Sequence, residues 1–303
     1  MNGTIRVPAS SSNLGPGFDT LALALDLWLE VKVRADYPAG FSVTLEGEGH
    51  GILPEDGRNW VLKSAREIAR DAVDRAAWHI NSEIPVASGL GSSAAARVAG
   101  LAAGYWLRDG RLPPRHKIFE GAVQTEHHPD NAAAAVFGGF RIGGRDRNGD
   151  WNTWPGVVHE RHLRLLLVIP KIPVPTHLAR SILPTTYSRS ASVRNLQSLG
   201  TLLSGLARGD WDAVRQGCRD HLHEPFRLPL VKGLKEALQF LRDHPHTGGA
   251  YLSGAGPALA AFLPEADQDR AVADEALEIL KKHGTPAHTR VASVVESGLS
   301  VAG

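Results

Sequence analysis

Hydrophobic and polar residues alternate most regularly between positions 25 and 34 of the chain. Hydrophobic residues occupy the odd positions from Leu25 to Val33, and mostly polar residues occupy the even positions between them. A period of two places successive side chains on opposite faces, so we predict a half-buried β-strand here. The alternation resumes over residues 41–45, where we predict a second strand that pairs antiparallel with the first.

Shorter apolar runs and helical spacings divide the rest of the chain into further strands and helices. Strands are predicted over residues 4–8, 78–84, 137–143, 164–170, 249–252, 259–263 and 287–295. Helices are predicted over residues 59–73, 92–105, 114–126, 132–136, 176–183, 192–208, 210–222, 231–241 and 272–280. The segment 144–160 is rich in Gly, Asn, Asp and Pro, which favours a boundary there. We therefore predict an N-terminal domain over residues 1–155 and a C-terminal domain over residues 156–303.

Composition narrows the class of protein. The 303-residue chain has 33 Lys plus Arg and 32 Asp plus Glu, so its positive and negative charges nearly balance. Such a net charge does not favour binding to nucleic acid or to an anionic membrane. The single cysteine, Cys218, excludes an internal disulfide and fits a reducing cytoplasm. The apolar run over residues 21–29 is broken by Asp26 and is too short to span a bilayer, and the N-terminus lacks a signal-peptide pattern. We expect a cytoplasmic protein without nucleic-acid or membrane partners.

The stretch from Ile84 to Gly100 is the strongest candidate for chemistry. Its first half contains Gly89 and Gly91, and its second half becomes helical at once. Ser92 and Ser93 lie at the junction, where we expect serine to cap the first helical turn. A glycine-rich turn that opens a helix presents free N–H groups and a positive dipole end, which favours a phosphate site. A tight loop packed on a helix is the alternative. We also expect Gly91→Val to abolish nucleotide binding while the fold survives.

Two further loops are candidates for binding. The polar, glycine-rich segment 9–19 places Asn13 and Asp19 six residues apart, although a surface loop would have the same composition. The segment 253–257 forms another glycine-rich turn at the end of a strand.

The three loops, in this order, resemble the signature motifs of the GHMP small-molecule kinase family. The matching segments are Asn13-Leu-Gly-Pro-Gly-Phe-Asp19, Gly89-Leu-Gly-Ser-Ser-Ala94 and Ser253-Gly-Ala-Gly-Pro257. Within the family, the first loop and His128-Pro-Asp-Asn131 resemble the homoserine kinase branch. The resemblance implies an α+β fold of two domains, the first like a domain of a ribosomal protein and the second ferredoxin-like. It also implies ATP- and Mg²⁺-dependent phosphorylation of the hydroxyl of L-homoserine to O-phospho-L-homoserine, a step of threonine biosynthesis.

The resemblance also implies roles for individual residues on the nucleotide side. Asn59 would lie at the adenine, and Ser93 and Glu120 would hold Mg²⁺. The phosphates would lie against the loop residues Pro85, Gly89, Leu90, Gly91, Ser92, Ser93 and Ala94.

On the acceptor side, the resemblance implies contacts from Asn13, Asp19, His128, Asn131, Thr176, Arg180 and Arg227. Asp19 suits the ammonium group of an amino acid, and the two arginines suit its carboxylate. Asn131, Asp130 and Arg180 are the candidate catalytic residues. Whether a base is needed stays open, as does whether Asp130 points into the site or caps the following helix.

Two departures from the family pattern and two alternatives remain. His127 stands where relatives are expected to have glycine, and residues 191–197 lack an Asp and an Arg that relatives often show.

The chain could be a sibling kinase that acts on threonine or mevalonate, or a metabolite sensor without turnover. A sensor would be expected to lose the phosphate-loop serines or the metal ligand, and this chain has them. A homodimer is a further expectation.

Overall fold

The computed structural model describes residues 2–35, 37, 40–160, 162–265 and 269–302. Within these ranges the strands are β1 (Asn2–Ser12), β2 (Leu21–Arg34), β3 (Ser42–Gly47), β4 (Ala77–Ser82), β5 (Phe140–Arg145), β6 (Trp151–Pro155), β7 (Arg164–Pro170), β8 (Ala250–Leu252), β9 (Leu259–Leu263), β10 (Ala287–Ser293) and β11 (Ser300–Ala302). The α-helices are α1 (Trp60–Ala69), α2 (Ser92–Asp109), α3 (Arg115–Glu126), α4 (Asp130–Phe137), α5 (Thr176–Ser181), α6 (Arg189–Arg208), α7 (Trp211–Gly217), α8 (Glu224–Arg227), α9 (Leu234–Asp243) and α10 (Asp269–Lys282). Two 3₁₀ segments follow α1 and α8.

The first sheet is organised around the long strand β2. Its far half, from Leu29 to Arg34, pairs with β4, while its near half, from Leu21 to Leu23, pairs with β5. The full strand order is β11-β1-β2-β4-β3, with β5 and β6 attached at the near half. Burial alternates from Leu25 to Arg34, whereas residues 21–25 are all buried because both faces of this part of β2 are covered. The alternation therefore predicted the strand correctly.

The predicted antiparallel pairing of the strand at residues 41–45 is wrong. β3 pairs in parallel with β4, and β4 lies between β3 and β2. Parallel neighbours need a crossover rather than a hairpin, and α1 lies in the connection from β3 to β4. The alternation fixed the faces of this strand but carried no information about its partner.

The second sheet has four antiparallel strands in the order β10-β7-β9-β8. With α10 between β9 and β10, and α5 to α9 between β7 and β8, this is the ferredoxin-like β-α-β-β-α-β arrangement. β7 is buried on both faces: Leu165 and Leu167 belong to a core shared with the first sheet, whereas Leu166 and Val168 pack under α9 and α10. The predicted α+β fold is confirmed.

The two halves of the chain meet through a shared hydrophobic core. The main core includes residues of β1, β2 and α2 together with Tyr251 and Phe262 of the second sheet. In addition, β11 returns from the C-terminal end and pairs with β1 in the first sheet. The division at residue 155 stays a prediction, and the last strand crosses it.

Candidate active site

Backbone hydrogen bonds join the three glycine-rich loops into one continuous surface. The N–H of Ser10 donates to the carbonyl of Leu90 at 3.1 Å, and the N–H of Gly254 donates to the carbonyl of Ser12 at 3.0 Å. The N–H of Ala258 donates to the carbonyl of Ser88 at 2.9 Å. The end of β1, the turn before α2 and the turn after β8 therefore hold one another in place.

Close backbone approach explains two of the glycines. Gly89 has φ +84°, and a Cβ there would lie 2.2 Å from the carbonyl oxygen of Ser253. Gly91 has φ +75°, and a Cβ there would lie 2.1 Å from Ser10 Oγ. Asn131 Oδ1 would be 3.3 Å away on the same side. The expectation that Gly91→Val spares the fold is not supported, because the added atoms strike protein atoms.

We predict that Gly91→Ala lowers the free energy of unfolding by about 2–4 kcal/mol, from the left-handed backbone and the crowding together. Gly200→Ala is the matched control. Gly200 is exposed within α6, and its Cβ would meet no atom within 4 Å. That variant should gain about 0.5–1 kcal/mol of helix stability. Thermal and urea melts of the two variants test the prediction, and equal stability would contradict it.

The helix α2 begins at the surface that the three glycine-rich loops form. Gly91 occupies the cap position in a left-handed conformation and makes no side-chain cap hydrogen bond. The prediction that Ser92 or Ser93 caps α2 is therefore wrong, because both residues already lie inside the helix. The amide groups of the first turn have no partner within the helix. Together with the dipole of an 18-residue helix, they make this end of α2 a candidate anion site.

Glu126, rather than Glu120, brings a carboxylate to this end of α2. Glu120 is exposed on α3, whereas Glu126 ends α3 beside the Ser93 hydroxyl. Glu126 Oε2 is buried and has no hydrogen-bond partner among the residues that the structure describes. Burial raises the pKa of Glu126, and the charge of His128 opposes that rise. The Glu120 carboxylate selected from the sequence is exposed, so its role as a metal ligand stays a prediction that Glu126 challenges.

His127 takes over a conformation that usually needs glycine. It is the C-cap residue of α3 with φ +62°, and its N–H donates to the carbonyl of Val123 at 2.8 Å. This is the left-handed helix end at which glycine is common. The backbone here is thus the one that a glycine would give, despite the substitution.

His128 and Asp130 form a buried ion pair. His128 Nδ1 lies 2.5 Å from Asp130 Oδ1. Burial lowers the pKa of His128, but the charge and hydrogen bond of Asp130 outweigh burial and raise it to about 9. Burial raises the pKa of Asp130, and the charge of His128 and its hydrogen bond lower it overall. Asp130 is the first residue of α4; its carboxylate is buried against His128, and its Oδ1 also accepts from the N–H of Asn131 at 2.8 Å.

Asn131 follows this pair on α4 and is fixed from the opposite side by β1. Ser10 Oγ donates to Asn131 Oδ1 at 2.8 Å. Because its oxygen is used in this way, the amide group of Asn131 directs its N–H donors away from Ser10.

A second ion pair adjoins the first. Arg180 donates from Nη2 to Asp19 Oδ1 at 2.6 Å and from Nη1 to Oδ2 at 3.2 Å. Single atoms of Asp19, His128 and Asp130 all lie within 4.8 Å of one another. Burial lowers the pKa of Arg180, but the hydrogen bonds and charge of Asp19 raise it overall. Two carboxylates and two cations thus form one network.

Arg227 is a buried cation at the edge of this network. Its Nε donates to the carbonyl of Ala179 at 3.1 Å, and its Nη1 donates to the carbonyl of Gly254 at 3.0 Å. Within the part of the chain that the structure describes, no carboxylate lies within 4.0 Å of its guanidinium. Burial and the charge of Arg180 lower the pKa of Arg227 to about 10, so it stays positive at neutral pH.

Comparison with known proteins decides the family. The family model described as GHMP kinases N terminal domain matches residues 59–139, and the one described as GHMP kinases C terminal matches residues 202–285. A homoserine kinase of Deinococcus radiodurans is 34% identical over 93% of this chain and 91% of its own length. The chain belongs to the GHMP kinase family. Within that family it falls among the homoserine kinases, as its motifs predicted.

A solved structure agrees with this GHMP kinase in both fold and sequence. The crystal structure of a homoserine kinase from Cytophaga hutchinsonii matches with a TM-score of 0.84 and 26% identity, over 99% of this chain and 97% of the other. A mevalonate kinase from L. major, 19% identical with a TM-score of 0.70 over 98% of this chain and 96% of the other, shares the fold alone.

Three predicted contact residues of this kinase have different surroundings from those expected. Asn13 donates to the carbonyl of Gly254 at 2.9 Å and accepts from the N–H of Asp19 at 3.1 Å, so both of its polar ends are used. Asn59 caps α1 by accepting from Val61 N–H, and it donates to Pro54. Thr176 is exposed at the start of α5, one turn before Arg180.

Sequence reasoning missed Glu126 and two aromatic residues. Phe18 lies beneath both arginines, with its ring centroid 5.8 Å from Arg180 Cζ and 5.2 Å from Arg227 Cζ. The ring of His223 stacks on Phe18 at 5.3 Å. Phe18 lies inside the Asn13–Asp19 motif and His223 lies four residues before Arg227, so the aromatic neighbours of these charged residues were the overlooked signal.

Proposed function

We propose that this kinase transfers the γ-phosphoryl group of ATP to the hydroxyl of L-homoserine and releases ADP, O-phospho-L-homoserine and the proton of the hydroxyl. The observation that carries this proposal is the buried Arg227, which has no carboxylate partner among the described residues and lies beside the Asp19–Arg180 pair. Arg227 suits the carboxylate of an amino acid, and Asp19 suits its ammonium group. Two relatives of this chain, from Deinococcus radiodurans and Thermus thermophilus, bear the name homoserine kinase.

Binding of the zwitterion would rearrange the Asp19–Arg180 pair. The ammonium group of the substrate would share the Asp19 carboxylate with Arg180. The carboxylate of the substrate would then accept hydrogen bonds from Arg180 and Arg227 together. This exchange replaces one half-buried ion pair with two charge-assisted contacts to the substrate. Asn13 keeps Asp19 in position, since its Oδ1 accepts from the Asp19 N–H.

The phosphates of ATP would lie against the first turn of α2, where free amide groups meet the helix dipole. The loop from Gly89 to Ala94 supplies this surface, and its own backbone is fixed by β1 and the turn at Ser253. The adenine contact of Asn59 stays a prediction: its side chain caps α1 and donates to Pro54, and its backbone N–H donates to the carbonyl of Asp56.

The residues beside the phosphate site fit Mg²⁺. Magnesium prefers hard oxygen ligands, and Ser93 and Glu126 offer a hydroxyl and a carboxylate side by side. The buried Oε2 of Glu126, which lacks a hydrogen-bond partner in the described part of the chain, is the atom that a cation would satisfy. When bound, the ion would neutralise charge on the phosphates during transfer.

The acceptor hydroxyl needs no dedicated base in this proposal. Asp130 is engaged by His128, and its lowered pKa makes it a poor proton acceptor. Its role would be to keep His128 positive beside the transferred group. Asn131, fixed by Ser10, and Arg180 would then orient the acceptor. Phosphoryl transfer depends mainly on such positioning and charge neutralisation.

A substrate panel tests the proposal. With the zwitterion held by Asp19 and Arg227, the hydroxyl of threonine or serine falls about one bond short of the phosphoryl group, and misplacement of this kind costs on the order of 100-fold in rate. We expect ADP release with homoserine to exceed that with threonine and serine by about that factor, and mevalonate, which lacks an ammonium group, scarcely to react. Equal rates with threonine and homoserine would overturn the proposal in favour of a sibling kinase, and absence of turnover would favour a sensor.

None of the helices in the described part of the chain is long and apolar enough to cross a membrane. We further propose a cytoplasmic homodimer, as expected from the sequence. Light scattering on the purified protein measures the oligomeric state.

A further inference from the structure

We propose that His223 is a positioning residue, which holds the guanidinium of Arg227 ready for the substrate carboxylate and ties it to the Asn13–Asp19 loop. This inference rests on the proposed function for its kinetic consequence. Its structural content, the tautomer and contacts of one imidazole, can be measured independently of any substrate.

The two ring nitrogens of His223 have different partners. Nε2 lies 3.0 Å from the carbonyl oxygen of Gly15, which can only accept a hydrogen bond. Nδ1 lies 3.3 Å from Arg227 Nη1, which can only donate. The neighbours therefore require the neutral tautomer that carries its proton on Nε2. In that form the imidazole donates to the loop and accepts from the arginine.

The surroundings keep the imidazole neutral. His223 is fully buried, and burial together with the charge of Arg227 lowers its pKa to about 4. A proton on Nδ1 would face the guanidinium at hydrogen-bond distance. Asp220 Oδ1 lies 3.7 Å from Nε2, too far for a strong hydrogen bond.

The backbone of His223 is fixed as firmly as its ring. Asp220 Oδ2 accepts from the N–H groups of Leu222, His223 and Glu224 at 3.0, 2.7 and 2.8 Å. The same carboxylate thus shapes the entry into α8, one turn before Arg227. The ring also stacks on Phe18 with an interplanar angle of 25°, which restricts its rotation.

Arg227 depends on this support because its other contacts leave one direction open. Nε and Nη1 are held by the carbonyls of Ala179 and Gly254, while Nη2 has no protein partner among the hydrogen bonds of the described residues. The acceptor at Nδ1 of His223 holds the plane of the guanidinium, so that Nη2 stays available to a ligand. Binding then loses less side-chain entropy.

Two amide variants separate the contacts of the two nitrogens. The amide of His223→Asn reaches the Nδ1 position and can still accept from Arg227, whereas the amide of His223→Gln reaches the Nε2 position and can still donate to Gly15. We expect His223→Gln to raise the KM for homoserine about tenfold, with the KM for ATP unchanged. His223→Asn should keep the KM for homoserine within about threefold of the wild type.

His244→Asn is the matched control. His244 also lies beside an aromatic ring, Phe240, and accepts at Nδ1 from the N–H of His246, but it is the partly exposed C-cap residue of α9. Its KM values should not change. A role of His223 in stability alone predicts lower melting temperatures in both His223 variants without the split in KM, and that outcome, or the reverse order of KM effects, overturns the proposal.

The NMR spectrum of ¹⁵N-histidine-labelled protein tests the same idea without a substrate. His223 should show the Nε2–H tautomer from pH 6 to 8. The Nδ1–H tautomer, or titration within that range, contradicts the proposal even if homoserine is phosphorylated. Conversely, a correct tautomer in a protein that does not turn over homoserine would refute the proposed function and leave the His223–Arg227 contact intact.

Discussion

Replacement of Arg227 by leucine is expected to raise the KM for homoserine about 100- to 1000-fold while the KM for ATP stays close to that of the wild type. The substrate carboxylate would enter a buried site without its cation, and loss of one partner of a buried charge pair costs about 3–5 kcal/mol. Each 1.4 kcal/mol corresponds to about tenfold. Initial rates with each substrate varied in turn measure the effect.

Two other variants control for damage to the fold. Arg215 likewise donates to backbone carbonyls of the second half, those of Pro245 and Thr247, and its one ion pair among the described residues is with Asp212, outside the charged network of the site. Arg215→Leu should cost stability without a change in the KM for homoserine. Arg227→Lys keeps the positive charge but lacks the paired N–H donors of the guanidinium. It should therefore show a smaller rise in the KM for homoserine than Arg227→Leu. An effect of Arg227→Leu confined to ATP would exclude Arg227 as the carboxylate site.

Glu126→Gln should lower kcat about 100-fold or more and shift the Mg²⁺ titration to higher concentration. A hard cation loses its anionic ligand, and the neutral amide cannot restore the charge. Steady-state rates over a range of Mg²⁺ at saturating ATP and homoserine measure both effects.

Glu120→Gln on the same helix is the matched control and should behave like the wild type. The exposed side chain of Glu120 has no part in the site as we describe it. If Glu120→Gln shifted the Mg²⁺ titration and Glu126→Gln did not, the original sequence assignment would be restored.

The two glutamates show where motif reasoning reaches its limit. Both lie on α3, six residues apart, and a count of positions before His128 does not tell which one faces α2. The answer depends on the rotation of α3 and on where it ends. The left-handed turn at His127 ends that helix and leaves the carboxylate of Glu126 beside Ser93.

Local pattern was reliable where one physical cause dominated. The alternation along β2 follows from a sheet with a covered and an open face, and the apolar run of β7 follows from burial on both faces. The motifs likewise identified the family, because three glycine-rich loops in a fixed order are far more specific than any one of them. The parallel pairing of β3 was beyond such reasoning, since alternation does not depend on the direction of the neighbouring strand.

By itself, the sequence determined the class of the fold, the order of most of its elements without β6 and β11, the family and most of the charged groups of the site. Only the tertiary structure decided how those groups combine: Asp19 with Arg180, His128 with Asp130, and Arg227 with backbone carbonyls and His223. The physical reason is that hydrophobic spacing and turn residues act over a few neighbouring positions. Ion pairs between residues as far apart as 19 and 180 depend instead on how two sheets pack around one core.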